Sequence, residues 1–420
     1  MEKSNTKRQW RMNVQLFLMS QFLTGITSMT VQYAIIWYLT EQTKSATMLS
    51  FATLLGMLPM IVLSPFVGPY VDRLNKKGLL IIPDLIAALF AIILSVTGIV
   101  TGTFPFWLIF VSLFVRAVTQ TFQTPTILAI LPTIAPREEL TKVNGQLGMV
   151  QSANRIIAPG IGAFFFAIMP LHLLLLLDVL GAVLGLLLLI FVKIPKTSEH
   201  FGNTLALEET KQGIRDLRSK SGLWIIVLIG ALSSIFIMPA ASLYPLMTMG
   251  YFNGTVSDAG FVQMIYSVGM LVGGSIIGVF GNWKDRMKPL LLSYLVIGIT
   301  FAAGGLLPSN KAGLVWFIVL SALTGIAAPF FDSLLMAMIQ QSFPVNQIGR
   351  IMGVVMALLS LLAALGLIFT GPIADRIGVE NVFVIAGLGT ILCAIINWLI
   401  APARNYDKQL QEKSMIDSSD

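Results

Sequence analysis

Long apolar runs alternate with short polar segments along the whole chain. A helix needs about 20 apolar residues to cross a bilayer, and each run is close to that length or longer. The runs show no polar–apolar alternation with a period of two, so they favour helices over the strands of a membrane barrel. The pattern predicts twelve membrane-spanning helices, at residues 13–39, 46–70, 79–101, 106–131, 143–168, 171–193, 222–247, 257–281, 289–307, 313–340, 348–372 and 379–401.

A polar interval between Lys193 and Gly222 divides the predicted spans into six and six. The sequence therefore predicts an N-terminal six-helix bundle, a linker, a C-terminal six-helix bundle and a tail, at residues 1–192, 193–221, 222–403 and 404–420. Lys211 and Arg215 have helical spacing, so the linker is either a short amphipathic helix at the membrane surface or a solvated connection. We expect the polar tail to be mobile.

Composition and charge support an all-α membrane protein. Hydrophobic residues make up 56% of the chain and charged residues only 11%, whereas ordinary globular domains are roughly 25% charged. With the N-terminus inside, cytoplasmic segments hold 22 of the 27 lysines and arginines, and the outer loops hold three. The positive-inside rule then predicts a multi-pass protein of the cell membrane with both termini in the cytoplasm. Because the basic residues lie in loops between spans, the net charge of +7 does not indicate a nucleic-acid partner.

A short motif, Gly-x-x-x-Asp-Arg, occurs at the end of the second predicted span and again 213 residues later, at the end of the eighth. Glycine permits close approach of two backbones, and the charged pair can contact a neighbouring segment. Two copies at matched positions indicate a duplicated membrane protein with two related gates. The predicted gating residues are Gly68, Asp72, Arg73, Lys76, Lys77, Asp84, Gly281, Asp285 and Arg286.

A small set of ionisable residues falls within predicted spans, where a charge is costly and by default indicates function, and four of them are candidates for proton coupling. They are Arg116, Arg155, Asp178 and Asp332. Asp178 could pair with Arg155, which lies at a similar depth, or with Arg116. We predict that these residues couple transport to protons, since burial and an arginine neighbour control the proton affinity of a carboxylate. The alternatives are a static ion pair, an Arg116 that only bonds to the backbone, and an Asp332 that is hydrated near the cytoplasmic end.

Candidate substrate contacts lie on three predicted spans. The first span has a polar face with Gln21, Ser28 and Gln32. Tyr33 and Trp37 follow on the same span and could instead belong to an aromatic belt at the membrane interface. The remaining candidates lie on the fourth span, on the face of Arg116, or on the seventh: Gln120, Gln123, Met238, Ser242 and Tyr244.

Ala158, Pro159 and Gly162 lie on one face of the fifth predicted span. Proline removes a backbone hydrogen bond and kinks a helix, and small residues permit close packing against another helix. The segment either sets how two helical bundles rock or is only a structural kink.

With these motifs the chain resembles the major facilitator superfamily, and in particular its macrolide-efflux-type branch, over nearly its whole length. The ten residues from Gly68 to Lys77 are similar to the family's signature between the second and third helices. Arg116 stands where the family's fourth-helix arginine is expected, without the glycine that often follows it. The segment from Ala158 to Gly162 resembles the family's antiporter motif in the fifth helix, with alanine in place of its usual glycine.

The resemblance implies two pseudo-symmetric six-helix bundles and alternating access, with proton influx driving the exit of amphiphilic, often cationic, drugs such as macrolides. Predicted partners are therefore the lipid bilayer, a drug and protons, and a monomer is compatible with the sequence. The chain has no phosphate-binding loop, nucleophile elbow or zinc-protease motif, so no enzyme, cofactor or metal site is predicted. The alternatives are a proton-coupled or uniport carrier of another small metabolite and a non-transporting membrane sensor.

Overall fold

The computed structural model describes residues 2–136, 139–194, 206–281, 283 and 285–417. Side chains are described within these ranges except at residues 2–9, 64–66, 68–73, 206–210, 345–346 and 413–417. Every regular element in the described ranges is a helix, as the apolar runs predict.

The helices before residue 195 are α1 (Glu2–Thr43), α2 (Ala46–Arg73), α3 (Lys76–Thr101), α4 (Phe106–Ile134), α5 (Leu140–Ile168) and α6 (Leu171–Phe191). Those after residue 205 are α7 (Ala206–Ser219), α8 (Ser221–Ser242), α9 (Tyr244–Leu246), α10 (Val256–Phe280), α11 (Met287–Leu306), α12 (Lys311–Ser342), α13 (Val345–Ile377), α14 (Val379–Leu399), α15 (Ala401–Arg404) and α16 (Tyr406–Asp417). A π-helical segment, Met247–Tyr251, follows α9.

Eleven of the described helices are long and apolar enough to cross a membrane. The helix α5 is also long, at 29 residues, but it is not among the eleven. It is less apolar than the others because it carries Gln151, Asn154 and Arg155, which line the cavity described below. A helix that borders a polar cavity needs fewer apolar residues than one surrounded by lipid. The twelfth span stays a prediction.

The chain divides into two compact units. The first unit contains residues 1–39 and 55–203, and the second contains residues 40–54 and 204–420. The turn between α1 and α2 therefore belongs to the second unit, whereas the apolar pattern assigns it to the N-terminal bundle.

Asp375, close to the end of α13, explains why that turn belongs to the second unit. Its carboxylate accepts hydrogen bonds from the Ser45 hydroxyl at 2.8 Å, the Ala46 amide at 2.6 Å and the Thr47 amide at 3.1 Å. The first amides of a helix have no acceptor inside the helix, and a negative charge is favourable there. Asp375 thus caps the first turn of α2.

In the first unit, α1 packs closely against α6. A Cβ atom at Gly181 would overlap the Thr27 side chain, and one at Gly185 would overlap Thr24. The Ser20 hydroxyl also donates to the Gly185 carbonyl at 3.2 Å. Small residues at a helix crossing let the two backbones approach, which brings the polar face of α1 into the interior of this unit.

Aromatic rings form much of the buried core of the second unit. Tyr244 lies among Phe301, Phe317 and Phe383, with ring centroids 5.2 to 6.3 Å from its own. Such pairs contribute about 0.5–1.5 kcal/mol each beyond the burial of area. This cluster fixes α9, α11, α12 and α14 against one another.

The described part of the linker is a helix, α7, that docks on α13. Asp216 forms an ion pair with Arg350, and Leu217 is fully buried. A Cβ atom at Gly213 would lie 2.9 Å from the Val354 side chain. The described part of the linker is therefore a helix, as the first of the two predicted alternatives has it, and not a solvated connection.

The expectation of a mobile tail is wrong for the part that forms α16, Tyr406–Asp417, and residues 418–420 lie outside the described residues. Ala403 and Asp407 are fully buried, and the Tyr406 and Ser342 hydroxyls lie 2.6 Å apart. Burial raises the pKa of the Tyr406 phenol above its ordinary value, so the phenol stays protonated at neutral pH. Polar groups of the tail, including Tyr406 and Asp407, therefore have partners in the second unit.

Candidate functional site

A polar cavity of about 280 Å³ lies in the first unit, bordered by α1, α3, α4 and α5. Five predicted substrate contacts line it: Gln21, Ser28, Gln32, Gln120 and Gln123. Within the described residues, no three His, Cys, Asp or Glu side chains are grouped as ligands for a metal ion.

Four glutamine amides on the cavity wall make no hydrogen bond to another described residue. They belong to Gln21, Gln32, Gln120 and Gln151. A side-chain amide carries two N–H donors and a carbonyl acceptor, so these groups are available to whatever fills the cavity. The sequence analysis does not predict Gln151. On α5 it identifies only Arg155 and the motif around Pro159, and it does not consider the polar face of this helix.

Asp84 lies in the cavity wall rather than beside the first loop motif, where the sequence analysis assigns it. The Gln123 amide donates to the Asp84 carboxylate at 2.6 Å and to the Leu80 carbonyl at 3.3 Å. Asp84 lies more than two helical turns after the start of α3. This separation places it away from the first loop motif and in the interior of the first unit.

Arg116 of α4 and Asp178 of α6 form an ion pair in the interior of the first unit. Their side chains are only 9% and 6% exposed. The guanidinium also donates to the Ser28 hydroxyl at 3.0 Å, and Ser28 lines the cavity. Of the two candidate partners for Asp178, the structure therefore selects Arg116. The pair lies directly behind the cavity wall, where each charge needs the other because an unpaired buried charge costs several kcal/mol.

Arg155 of α5 has an exposed side chain that lines the cavity. It forms no ion pair and no hydrogen bond within the described part of the chain. Its guanidinium is always charged, so it presents a positive charge to the cavity.

Trp37 is a packing residue and does not reach the cavity. It is 1% exposed, and its ring stacks on Tyr33 with centroids 5.6 Å apart. A Cβ atom at Gly162 would lie 3.1 Å from the indole. The predicted small-residue motif of α5, in which Ala158 and Pro159 are also buried, therefore meets α1 at this aromatic pair.

Side chains at three predicted gating positions of the first loop motif lie outside the described residues: Gly68, Asp72 and Arg73. The two lysines of the motif are described. Lys77 donates to the carbonyls of Ile190 and Val192 at 3.0 and 3.2 Å, where the negative end of α6 favours a cation. Lys76 reaches the Ala129 carbonyl at 3.5 Å. These contacts connect the start of α3 to α4 and α6.

The second loop motif is held by the C-terminal helix. Arg286 forms an ion pair with Asp407 at 2.8 Å, and its backbone amide donates to the same carboxylate at 2.7 Å. The guanidinium also donates to the Gln341 amide oxygen at 2.6 Å. Asp285 instead accepts from the first amide of α11 at 3.1 Å, and Gly281 follows the last residue of α10.

The candidates on the seventh predicted span lie in the second unit and do not line the described cavity. Tyr244 is 7% exposed and belongs to the aromatic core. The Ser242 hydroxyl donates back to the Pro239 carbonyl at 2.7 Å, and Met238 is half-buried. Asp332, predicted as an acid within a span, is exposed on α12.

Comparison with known proteins adds a family and named relatives. The model of the Major Facilitator Superfamily matches residues 17–310 and 238–415. Macrolide efflux protein A of Streptococcus pyogenes is 34% identical over 409 residues, which cover 97% of this chain and 100% of that protein. The protein of the same name in Enterococcus faecalis is 33% identical over 77% of this chain and 99% of its own. Multidrug efflux pump Tap of Mycolicibacterium fortuitum is 23% identical, with 96% and 98% covered.

Solved transporter structures share the fold. A point mutant of the nucleoside transporter NupG superposes with a TM-score of 0.75 at 12% identity, covering 92% of this chain and 98% of its own. A POT family transporter in complex with a thioalcohol-conjugated peptide gives a TM-score of 0.74 at 14% identity, with 93% and 96% covered. At such identities the likeness concerns the fold alone.

Proposed function

The chain belongs to the major facilitator superfamily, and we propose that it exports macrolide-type drugs in exchange for protons. It is a multi-pass protein of the cell membrane and an efflux transporter, not an enzyme. Relatives that are 33–34% identical are macrolide efflux proteins, and this supports amphiphilic macrolide-type compounds as the substrates of this chain.

The buried Arg116–Asp178 pair carries the proposal of proton coupling. When Asp178 takes up a proton it loses its charge, and the guanidinium loses the partner that compensates it. Arg116 then shifts its interaction toward Ser28, which lines the cavity. Protonation of Asp178 behind the wall thereby changes a group that lines the cavity. The proton and the drug therefore both act on the Arg116–Ser28 hydrogen bond. Arg155 modulates this exchange through its charge, and Asp332 is the alternative coupling acid.

Alternating access is the second part of the proposal. Internal repeats are typical of transporters that open to one side of the membrane and then to the other. The loop motifs around Asp72 and Arg286 act as gates on the cytoplasmic side, with both termini in the cytoplasm, as the distribution of lysine and arginine supports. The close contact of Gly162 with Trp37 sets how α5 moves against α1.

Inverted membrane vesicles test proton antiport. With the vesicle interior acidic, labelled macrolide should accumulate inside, and an uncoupler should abolish the accumulation. Uptake that ignores the imposed pH gradient would contradict the proposal. Whole cells separate the other classes, since an exporter lowers the drug content, an importer raises that of its solute, and a sensor changes neither.

A further inference from the structure

We infer that the cavity of the first unit recognises a neutral, polyhydroxylated group of the exported drug, such as a sugar substituent. This inference rests on the proposed function and names the part of the substrate that this cavity binds.

The hydrogen-bonding groups of the wall carry the inference. Gln21, Gln32, Gln120 and Gln151 have amides without partners among the described residues, and the last three are exposed. Each amide both donates and accepts, and so does each hydroxyl of a polyol. A hydroxyl-rich group can therefore pair with the amides that it reaches and keep its own polar groups hydrogen-bonded, whereas leaving these groups unpaired is costly.

In the described part of the chain, the wall lacks the aromatic rings that often hold a cationic drug, and its large apolar side chains are Met29, Ile127, Leu147 and Val150. No aromatic side chain lines the cavity within the described residues, although drug-sized pockets are mostly hydrophobic and aromatic and cations are often bound over aromatic rings. The Asp84 carboxylate already accepts a hydrogen bond from Gln123. Arg155 adds a positive charge, which repels an ammonium group and can donate to uncharged oxygens. The Asp84 carboxylate and the Arg155 guanidinium have opposite signs and offset each other, so the wall favours a neutral, oxygen-rich group over an ion.

The size of the cavity restricts the ligand further. Its volume of about 280 Å³ lies just below the roughly 300–1,000 Å³ that ligand pockets occupy. It therefore suits a single ring-sized substituent rather than a whole macrocycle. Ser28 on the same wall accepts a hydrogen bond from Arg116. A ligand in the cavity therefore contacts the hydrogen bond that the proposed proton coupling changes.

Paired substrates test the inference. Initial export rates are measured for a macrolide glycoside and for the same macrolide without its neutral sugar, at several concentrations of each. The wild type should export the glycoside more efficiently. Gln120→Met and Gln151→Met keep the side-chain length and remove the amide, so each should lower kcat/KM for the glycoside about 2- to 10-fold, as the loss of one hydrogen bond predicts. Both variants should lower kcat/KM for the sugar-free macrolide by a smaller factor than for the glycoside, because that compound lacks the hydroxyl groups that pair with the amides.

Gln263→Met in α10 is the matched control, because it makes the same replacement outside this cavity, and it should change neither rate. An equal loss for both macrolides, or a wild type that exports both equally well, would overturn the inference.

A binding measurement separates this inference from the export proposal. Equilibrium dialysis of the glycoside against detergent-purified protein reports on the cavity even if the wild type exports neither compound. Weaker binding by Gln120→Met then supports the cavity assignment while the export proposal fails, and unchanged binding overturns the assignment.

Discussion

Asp407 of the C-terminal helix is fully buried and forms an ion pair with Arg286 of the repeated loop motif, 2.8 Å away. The same carboxylate accepts the Arg286 amide at 2.7 Å and the Gln411 amide at 3.0 Å. The partner of the second motif therefore comes from the tail. A segment that looks dispensable in the sequence holds the loop between α10 and α11 in place.

Replacing Asp407 with asparagine should destabilise the docked tail by about 3–5 kcal/mol, because it leaves the Arg286 guanidinium buried without a counter-charge. Glu412→Gln in the same helix is the control. Its partner Lys408 lies 4.0 Å away and both side chains are well exposed, so that pair contributes only about 0–1 kcal/mol. Limited proteolysis and thermal unfolding of the purified protein measure the difference. Similar, small effects of both variants would show that the buried pair does not hold the tail.

Asp178→Asn should abolish proton-driven export and retain drug–drug counterflow. The amide keeps a hydrogen-bond acceptor for Arg116 but can neither bind nor release a proton. Because the buried guanidinium loses its counter-charge and the protein loses stability, both activities are compared per amount of folded protein. Both activities are measured in proteoliposomes, with Asp332→Asn as the comparison because Asp332 is exposed on α12. Loss of both activities in Asp178→Asn would favour a static ion pair. Loss of proton drive in Asp332→Asn alone would move the coupling role to that residue.

Helix positions were predictable because membrane spans are a local property of the sequence. An apolar run of this length predicts a helix whatever lies beside it. The polar face of α1 likewise indicates an interior site without information from any other helix. The Arg116–Asp178 pair could only be narrowed to two options, because depth along a helix does not fix which helices touch. The Arg116 side chain reaches Asp178 in the interior of the unit, and this contact decides between Arg116 and Arg155.

Long-range partners could not be predicted. Arg286 and Asp407 are 121 residues apart, and nothing near either residue indicates the other. The sequence predicts Trp37 as a substrate contact or as part of an aromatic belt at the membrane interface, but Gly162 leaves a space that its indole fills. In each case, residues distant in the sequence determine the environment of the side chain.

Gly181→Ala should destabilise the protein by about 1–3 kcal/mol, since the added Cβ would overlap Thr27 where α6 crosses α1. Gly148→Ala in α5 is the matched control, because a Cβ there meets nothing within 4 Å. It should be neutral or stabilise the helix by about 0.5–1 kcal/mol. The melting temperature of the purified protein compares the two. Adding Thr27→Ala to Gly181→Ala should restore part of the loss, and an absence of rescue would mean that the overlap is not its cause.

Asp375→Asn should loosen the first turn of α2. The carboxylate caps that turn through the Ala46 and Thr47 amides, and a lost cap costs about 0.5–2 kcal/mol, which corresponds to roughly 2- to 30-fold faster amide exchange. Hydrogen–deuterium exchange of the segment after Ser45 measures this effect. Arg376→Gln is the control, since that exposed neighbour makes no hydrogen bond or ion pair with another described residue. The cap holds the α1–α2 turn on the second unit. A loosened turn in Asp375→Asn should therefore also slow transport. Faster exchange without any change in transport would limit Asp375 to a stabilising role.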